Sequence, residues 1–171
     1  MSSKEKLPFP GADRAKLLLP GNQYEDFEVG QVFEHHWGRT LNGGDNALFS
    51  CLTLHFNPNY FNAEYARANG HDRILVNPLL VFNTVLGMSV EDLSERGGPF
   101  LGINELTHHR SVYEGDTLVA RSTVLDKRES TSNPDVGIVT WCTEGFNQHD
   151  ELVIDYRRSN IVAKRGRRAR I

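Results

Sequence analysis

Cysteine is scarce in this sequence, and its placement excludes several classes of protein. Only Cys51 and Cys142 occur among 171 residues, far apart and without a CxxC or Cys/His ligand spacing. Disulfide-stapled domains and zinc sites need such spacings. Gly-x-Ser-x-Gly, Walker, Rossmann and metal-ligand patterns are missing as well. We therefore expect no disulfide framework, no bound metal and no cofactor, and a reducing, cytoplasmic location.

Long hydrophobic runs are also missing. A membrane-spanning helix needs about 20 consecutive apolar residues, and no run in this chain approaches that length. The N-terminal stretch MSSKEKLPFPGADRAKLLLPG has charges and prolines where a signal peptide needs a continuous apolar segment. The sequence thus predicts neither membrane insertion nor an export signal.

The sequence lacks the strong excess of positive charge that is typical of nucleic-acid-binding proteins. The net charge is −3, and 39% hydrophobic with 24% charged residues is ordinary for a soluble globular protein. Cations cluster only in the C-terminal KRGRRARI, which could contact phosphate but is more typical of a solvated chain end. We expect no nucleic-acid binding. Residues 1–23 are predicted to form an N-terminal arm, residues 24–165 one domain, and residues 166–171 a basic tail.

Hydrophobic periodicity predicts helices in the first half of the domain, after a strand through QVFEHHWGRT. Leu48, Cys51, Leu52 and His55 share one helical face, which places His55 at the end of an apolar face. A short second helix is expected between Asn62, as its cap, and Gly70. The segment VNPLLVFNTVLGMSVEDLSE predicts a long helix, apolar nearly all round, which other structure must wrap.

The period then changes from helical to two. TLVARSTVL, VGIVTWCTEGF and LVIDYRRSNIVA are rich in β-branched and aromatic residues, and turn-like segments separate them. This pattern predicts an antiparallel meander. One buried helix followed by a meander indicates an α+β fold with a single, strongly bent sheet.

The segments FNPNYFNAEYA, ILVNPLL and YEGDTL resemble the MaoC-like hydratases, relatives of the (R)-specific enoyl-CoA hydratases, over roughly residues 24–165. The lead-in RTLNGGDNALFSCLT is similar to the branch that acts on branched or dicarboxylic acyl-CoAs. The resemblance implies a hot dog fold, in which a sheet wraps one long helix. It further implies a homodimer or higher oligomer, and an acyl-CoA or acyl-carrier thioester as substrate.

The resemblance also shows a departure at the catalytic dyad. In the family, an Asp and a His activate the water that adds to the β-carbon of a 2-enoyl thioester, while an amide at a helix N-terminus polarises the carbonyl. Here His55 stands at the Asp position and Tyr60 at the His position, whereas Phe56, Asn57 and Pro58 match. His55 is then either a general base or a packed core histidine. Tyr60 suits an orienting donor, and Asn57 either holds the turn or contacts the water.

The same resemblance suggests substrate-binding residues. Val76 and Asn77 open the long helix, and the Asn77 backbone amide is the expected oxyanion donor. Arg110 and Arg158 are candidate partners for CoA phosphates. His108 and His109 should point to opposite faces of a strand. The function expected is an acyl-thioester hydratase or dehydratase; the alternatives are a hot dog thioesterase and a non-catalytic acyl-CoA-binding homologue.

Overall fold

The computed structural model describes residues 21–96 and 98–167. Most of the predicted N-terminal arm and residues 168–171 of the basic tail lie outside the described residues, so these two boundaries stay predictions. Within the described part, Lys164, Arg165 and Arg167 pair with Glu129, Asp26 and Asp135. These three cations at or near the start of the tail therefore already have carboxylate partners within the chain.

One antiparallel sheet forms the body of the molecule. Its path is β1 (Val32–Glu34), β4 (Thr117–Glu129), β5 (Val136–Phe146), β6 (Leu152–Ala163) and β3 (Phe100–His108), and the short β2 (Arg39–Thr40) also pairs with β4. The predicted meander is confirmed as β4, β5 and β6, joined by antiparallel registers along their whole lengths. The predicted first strand is interrupted, because residues 35–38 separate β1 from β2.

Four α-helices connect and cover the strands in the described part of the chain. They are α1 (Gly43–Thr53), α2 (Ala63–Ala68), α3 (Pro78–Met88) and α4 (Val90–Leu93). Asn62 caps α2 through the Tyr65 amide, as predicted, and Gly70 follows that helix with a φ of 85°. The long helix expected from the sequence is split at Ser89, so that α3 and α4 are separate elements.

Helix α3 packs one face against the sheet. Val81 and Val85 are buried among core residues from β4 and β6, including Leu118 and Tyr156. The contact with β5 is close, since a Cβ at Gly145 would lie 2.7 Å from Val85 Cγ2. This arrangement confirms the predicted α+β architecture.

The predicted packing of the sheet around α3 is confirmed, and in the single chain the opposite flank of this helix is exposed. Leu79 exposes 47% of its surface, and Asn83 and Gly87 are also exposed. A cavity of about 560 Å³ runs along this flank between α3 and residues 37–39. The helix is therefore half covered by its own sheet. No helix among the described residues has both the length and the apolar character needed to span a membrane.

Candidate active site

Helix α1 faces the interior with polar side chains and solvent with apolar ones. Asn46 and Ser50 are 0% and 1% exposed, whereas Leu48 and Leu52 expose 62% and 74%. The apolar stripe that the periodicity identified is real, but it does not contact the core of this chain. His55, at the end of that stripe, is exposed rather than packed in the core.

Asn46 joins three segments of the site. Its Nδ2 donates to the carbonyl oxygens of Tyr60 and Leu75 over 2.8 and 2.7 Å, and its Oδ1 accepts from the Asn77 backbone nitrogen over 2.9 Å. Both amide hydrogens and the carbonyl of this buried side chain are thus satisfied. Sequence reasoning missed Asn46, because no motif distinguishes it from the other polar residues that open α1.

His55 is held at the end of α1 by its backbone and its ring. Leu54 adopts the left-handed conformation, with a φ of 56°, and ends the helix, and the His55 amide donates to the Ser50 carbonyl over 3.0 Å. The imidazole meets the Tyr60 ring edge-on, with 5.4 Å between ring centroids. On its other side, Asn77 Nδ2 lies 3.0 Å from His55 Nδ1. The structure therefore brings His55, Tyr60 and Asn77 together.

Asn57 and Tyr60 belong to one 3₁₀ turn, Pro58–Tyr60. The Asn57 side chain caps this turn by accepting from the Asn59 amide over 3.1 Å. Tyr60 is 9% exposed. Burial raises the pKa of its phenol above the ordinary value, and a hydrogen bond with Asn57 opposes that rise only in part. Tyr60 thus keeps its proton at neutral pH and has an O–H that can donate a hydrogen bond.

The N-terminus of α3 has no free amide at its first turn. The Asn77 nitrogen donates to Asn46, the Leu79 nitrogen to Asn77 Oδ1, and the Leu80 nitrogen to the Asn77 carbonyl. Pro78 has no N–H to offer. This contradicts the expectation that the Asn77 amide polarises a substrate carbonyl, since that hydrogen is already shared with Asn46.

A cavity of about 390 Å³ lies beside the site. Tyr60, Val76 and Arg110 all line it. His108 and His109 both line it, so the expectation that they face opposite sides is wrong; β3 ends at His108, and His109 lies past the alternation of the strand. Burial and the neighbouring His109 lower the pKa of His108, which favours the neutral imidazole.

The two arginines proposed for phosphate binding differ in position. Arg110 is exposed beside the cavity, with its guanidinium 3.5 Å from a Glu151 carboxylate oxygen. Arg158 is 1% exposed, lies 5.4 Å from the Trp141 ring centroid, and donates to the Ser89 carbonyl. The expectation that Arg158 contacts a CoA phosphate is therefore wrong, because its guanidinium lies inside the core and a phosphate cannot approach it.

A turn behind the cavity is fixed by a buried carboxylate. Asp116 accepts hydrogen bonds from the Tyr113 amide, Arg73 and Gln148, over 2.9, 3.0 and 3.1 Å. Burial alone would raise the pKa of this carboxyl, but the three hydrogen bonds outweigh it and hold the pKa below the ordinary value. Gly115 turns with a φ of 92°. The contacts of Asp116 thus hold this turn in place at the start of β4.

Comparison with known proteins identifies relatives that are named as CoA-thioester hydratases and dehydratases. The model of the mesaconyl-CoA hydratase family matches residues 9–170. The mesaconyl-CoA hydratase of Haloarcula marismortui is 38% identical over 154 residues, which cover 90% of this chain and 43% of that protein. The β-methylmalyl-CoA dehydratase of Chloroflexus aurantiacus is 36% identical over 146 residues, which cover 85% of this chain and 41% of that protein. The chain thus spans less than half the length of the curated relatives it matches.

Solved structures agree with the fold. A protein described as a MaoC domain dehydratase, from Chloroflexus aurantiacus, superposes with a TM-score of 0.83 at 34% identity, covering 88% of this chain and 43% of that one. A conserved protein of Mycobacterium tuberculosis, described as having a double hot dog fold, superposes with a TM-score of 0.77 at 26% identity, covering 85% and 45%. The described domain therefore has the hot dog fold.

Proposed function

The chain belongs to the mesaconyl-CoA hydratase family of MaoC-like proteins, and on this premise we propose that it hydrates or dehydrates a 2-enoyl thioester of coenzyme A. In hydration, the oxygen of water bonds to the β-carbon and a hydrogen is added to the α-carbon. The observation that carries this proposal is the family match across nearly the whole chain, together with His55 and Tyr60 in ring contact beside a cavity.

The site residues have distinct parts in this proposal. His55 and Tyr60 act at the reacting end of the thioester, Asn57 caps the turn that carries Tyr60, and Val76 borders the acyl group in the cavity. Arg110 is the proposed contact for a negative group of the substrate, because it is exposed beside the same cavity. A carboxylate on the acyl chain is one such group, consistent with the names of the curated relatives.

We further propose that a second hot dog unit, from a second copy of this chain, covers the face of α1. Large apolar side chains there are exposed beside His55, and a continuous exposed apolar surface is typical of an interface. They are Leu48, Leu52, Leu54, Phe56, Phe61 and Tyr65. Sedimentation should therefore give a dimer or larger assembly. Leu52→Glu should weaken the assembly, while Val29→Glu, at an exposed apolar position outside this group, should not; a wild-type monomer would contradict the proposal.

The activity can be tested with purified protein and two thioesters, mesaconyl-CoA and crotonyl-CoA. Loss of the enoyl absorbance without release of free thiol supports a hydro-lyase. Release of free thiol would identify a thioesterase instead. Binding of both thioesters without any turnover would identify a non-catalytic acyl-CoA-binding protein. Val90→Ala, at an exposed position of α4, is the matched control for His55→Ala, since only the second should lose activity.

A further inference from the structure

Asn77 makes two side-chain contacts that together determine which ring nitrogen of His55 holds the proton. The Asn77 side chain belongs to a residue that is 0% exposed, between the first turn of α3 and the imidazole. We propose that Asn77 is a positioning residue that keeps His55 protonated at Nε2, and that this Nε2–H is the donor to the thioester carbonyl oxygen. This inference rests on the proposed hydro-lyase function.

The orientation of the Asn77 amide follows from its neighbours. The Leu79 backbone N–H lies 2.9 Å from Asn77 Oδ1 and can only donate, so it requires an oxygen at that position. Rotating the amide by half a turn would place the NH₂ group against this N–H. The NH₂ group therefore faces His55, and Asn77 Nδ2 donates to His55 Nδ1 over 3.0 Å.

A ring nitrogen that accepts a hydrogen bond has no proton. Because His55 Nδ1 accepts from Asn77, the neutral imidazole must hold its hydrogen at Nε2. An Nε2 that bears hydrogen cannot accept a proton from water, so this tautomer is unsuited to the general-base role expected from the sequence. It is suited to donating a hydrogen bond to an oxygen of the substrate.

The backbone amides at the N-terminus of α3 are not available to a substrate, so the carbonyl oxygen needs another donor. In the hydration of a 2-enoyl thioester, negative charge develops on the carbonyl oxygen as the oxygen of water bonds to the β-carbon, and it is discharged when the α-carbon gains the proton that the water loses. The nearby amides of Asn77, Leu79 and Leu80 are all engaged within the protein. The His55 ring contacts Asn77 at this N-terminus and is exposed, and its Nε2–H has no hydrogen-bond partner among the described residues. It stabilises the oxygen by the hydrogen bond alone and transfers no proton to it.

The tautomer can be measured directly in the full chain. Nitrogen NMR of isotope-labelled histidine distinguishes bare from protonated ring nitrogens, and His55→Phe assigns the His55 signals. The spectra are recorded about two units above the ordinary histidine pKa of roughly 6.5. We expect a bare Nδ1 and a protonated Nε2 in the wild type. A protonated Nδ1 in the wild type would overturn the proposal.

Asn77→Asp tests the cause. Aspartate still accepts from the Leu79 amide, but its second oxygen can only accept, so it should draw a proton onto His55 Nδ1. Asn83→Asp is the matched control, since it adds the same charge to an exposed position of α3 and should leave the tautomer unchanged. Asn77→Gly, which removes both contacts, should give a mixture of tautomers. A His55 that keeps a bare Nδ1 in both Asn77 variants would contradict the role of Asn77.

The hydrogen bond from His55 to the thioester carbonyl can be measured by infrared spectroscopy. Butyryl-CoA labelled at the thioester carbonyl cannot be hydrated, and a hydrogen bond to its oxygen lowers the carbonyl stretching frequency in the infrared. We expect this lowering with the wild type and Asn83→Asp, and its loss with His55→Phe. In the hydratase assay, Asn77→Asp should lower kcat by about 10²-fold with little change in KM, the scale for one oxyanion donor.

The two proposals can fail separately. If the wild type hydrates no thioester while the carbonyl shift depends on His55, the proposed function fails and the donor assignment stands. If the enzyme is active and the carbonyl frequency is the same with and without His55, the donor assignment fails and the proposed function stands.

Discussion

Asn46 Oδ1 accepts a hydrogen bond of 2.9 Å from the backbone nitrogen of Asn77, and so binds α1 to the start of α3. The same side chain donates to two carbonyls, at Tyr60 and Leu75. One buried amide thereby fixes the relative positions of the two helix ends and the turn that surround the candidate site.

Replacing this residue should be costly. Asn46→Ala leaves one N–H and two carbonyls buried without partners, and each such group costs about 1–3 kcal/mol. We expect the free energy of unfolding, measured by urea denaturation, to fall by at least about 3 kcal/mol. Asn83→Ala, at an exposed position of α3, should change it by less than about 1 kcal/mol. Equal losses for the two variants would contradict the bridging role of Asn46.

Replacing glycine by alanine should have opposite effects on stability at Gly145 and at Gly87. A Cβ at Gly145 would meet Val85 Cγ2 at 2.7 Å and Ile154 Cγ2 at 2.8 Å, whereas a Cβ at Gly87 meets nothing within 4 Å. Gly145→Ala should lower the free energy of unfolding by about 1–3 kcal/mol through overpacking. Gly87→Ala should raise it by about 0.5–1 kcal/mol, because alanine restricts the unfolded chain and favours the helix. Thermal unfolding of both variants would reveal opposite shifts in Tm.

Asp116 should make stability depend on acid pH. Its pKa lies below the ordinary value of 3.8 in the folded protein, so its contribution to stability is complete above that value and is lost as pH falls through the lower folded pKa. Asp116→Asn should therefore be less stable than the wild type near neutral pH, by about 1–3 kcal/mol. The difference should shrink as the pH falls below about 4. A difference that stays constant through the acid range would exclude the charged carboxylate as its source.

Arg158 should affect stability rather than substrate binding. Its guanidinium is buried, and its Nε has no hydrogen-bond partner among the described residues. A hydrophobic side chain of similar length can replace such a group with little cost. The free energy of unfolding of Arg158→Met should therefore lie within about 1 kcal/mol of the wild-type value. Arg158→Ala should lose about 2–4 kcal/mol through the cavity that remains. Both variants should keep the wild-type KM for the thioester; a selective rise in KM would restore the phosphate role.

Tyr60→Phe tests the proposed donor beside His55. The change keeps the ring in contact with the imidazole but removes the hydroxyl. If the hydroxyl orients the reacting water, kcat should fall by about 10-fold or more while the protein stays folded. Far-UV circular dichroism checks the fold. Because burial raises the pKa of Tyr60, the wild-type rate should show no loss from its ionisation between pH 7 and about 9.

The sequence by itself was sufficient for the elements whose signals are local. The alternation in TLVARSTVL, VGIVTWCTEGF and LVIDYRRSNIVA predicted β4, β5 and β6, and Asn77 with Pro78 predicted the start of α3, because caps and strand periods depend on neighbouring residues. The FNP turn and its family resemblance also located His55 and Tyr60 in one segment of the chain.

Only the tertiary structure decided which groups meet. The periodicity of α1 identified its apolar face but could not tell whether that face meets the core, and the structure buries the polar face through Asn46 instead. The sequence could not distinguish Arg158 from Arg110 as a phosphate contact. The packing of the chain buries Arg158 and exposes Arg110. The pairing of Asn77 with His55 joins residues 22 positions apart. Such contacts depend on how separate elements pack, which no local pattern specifies.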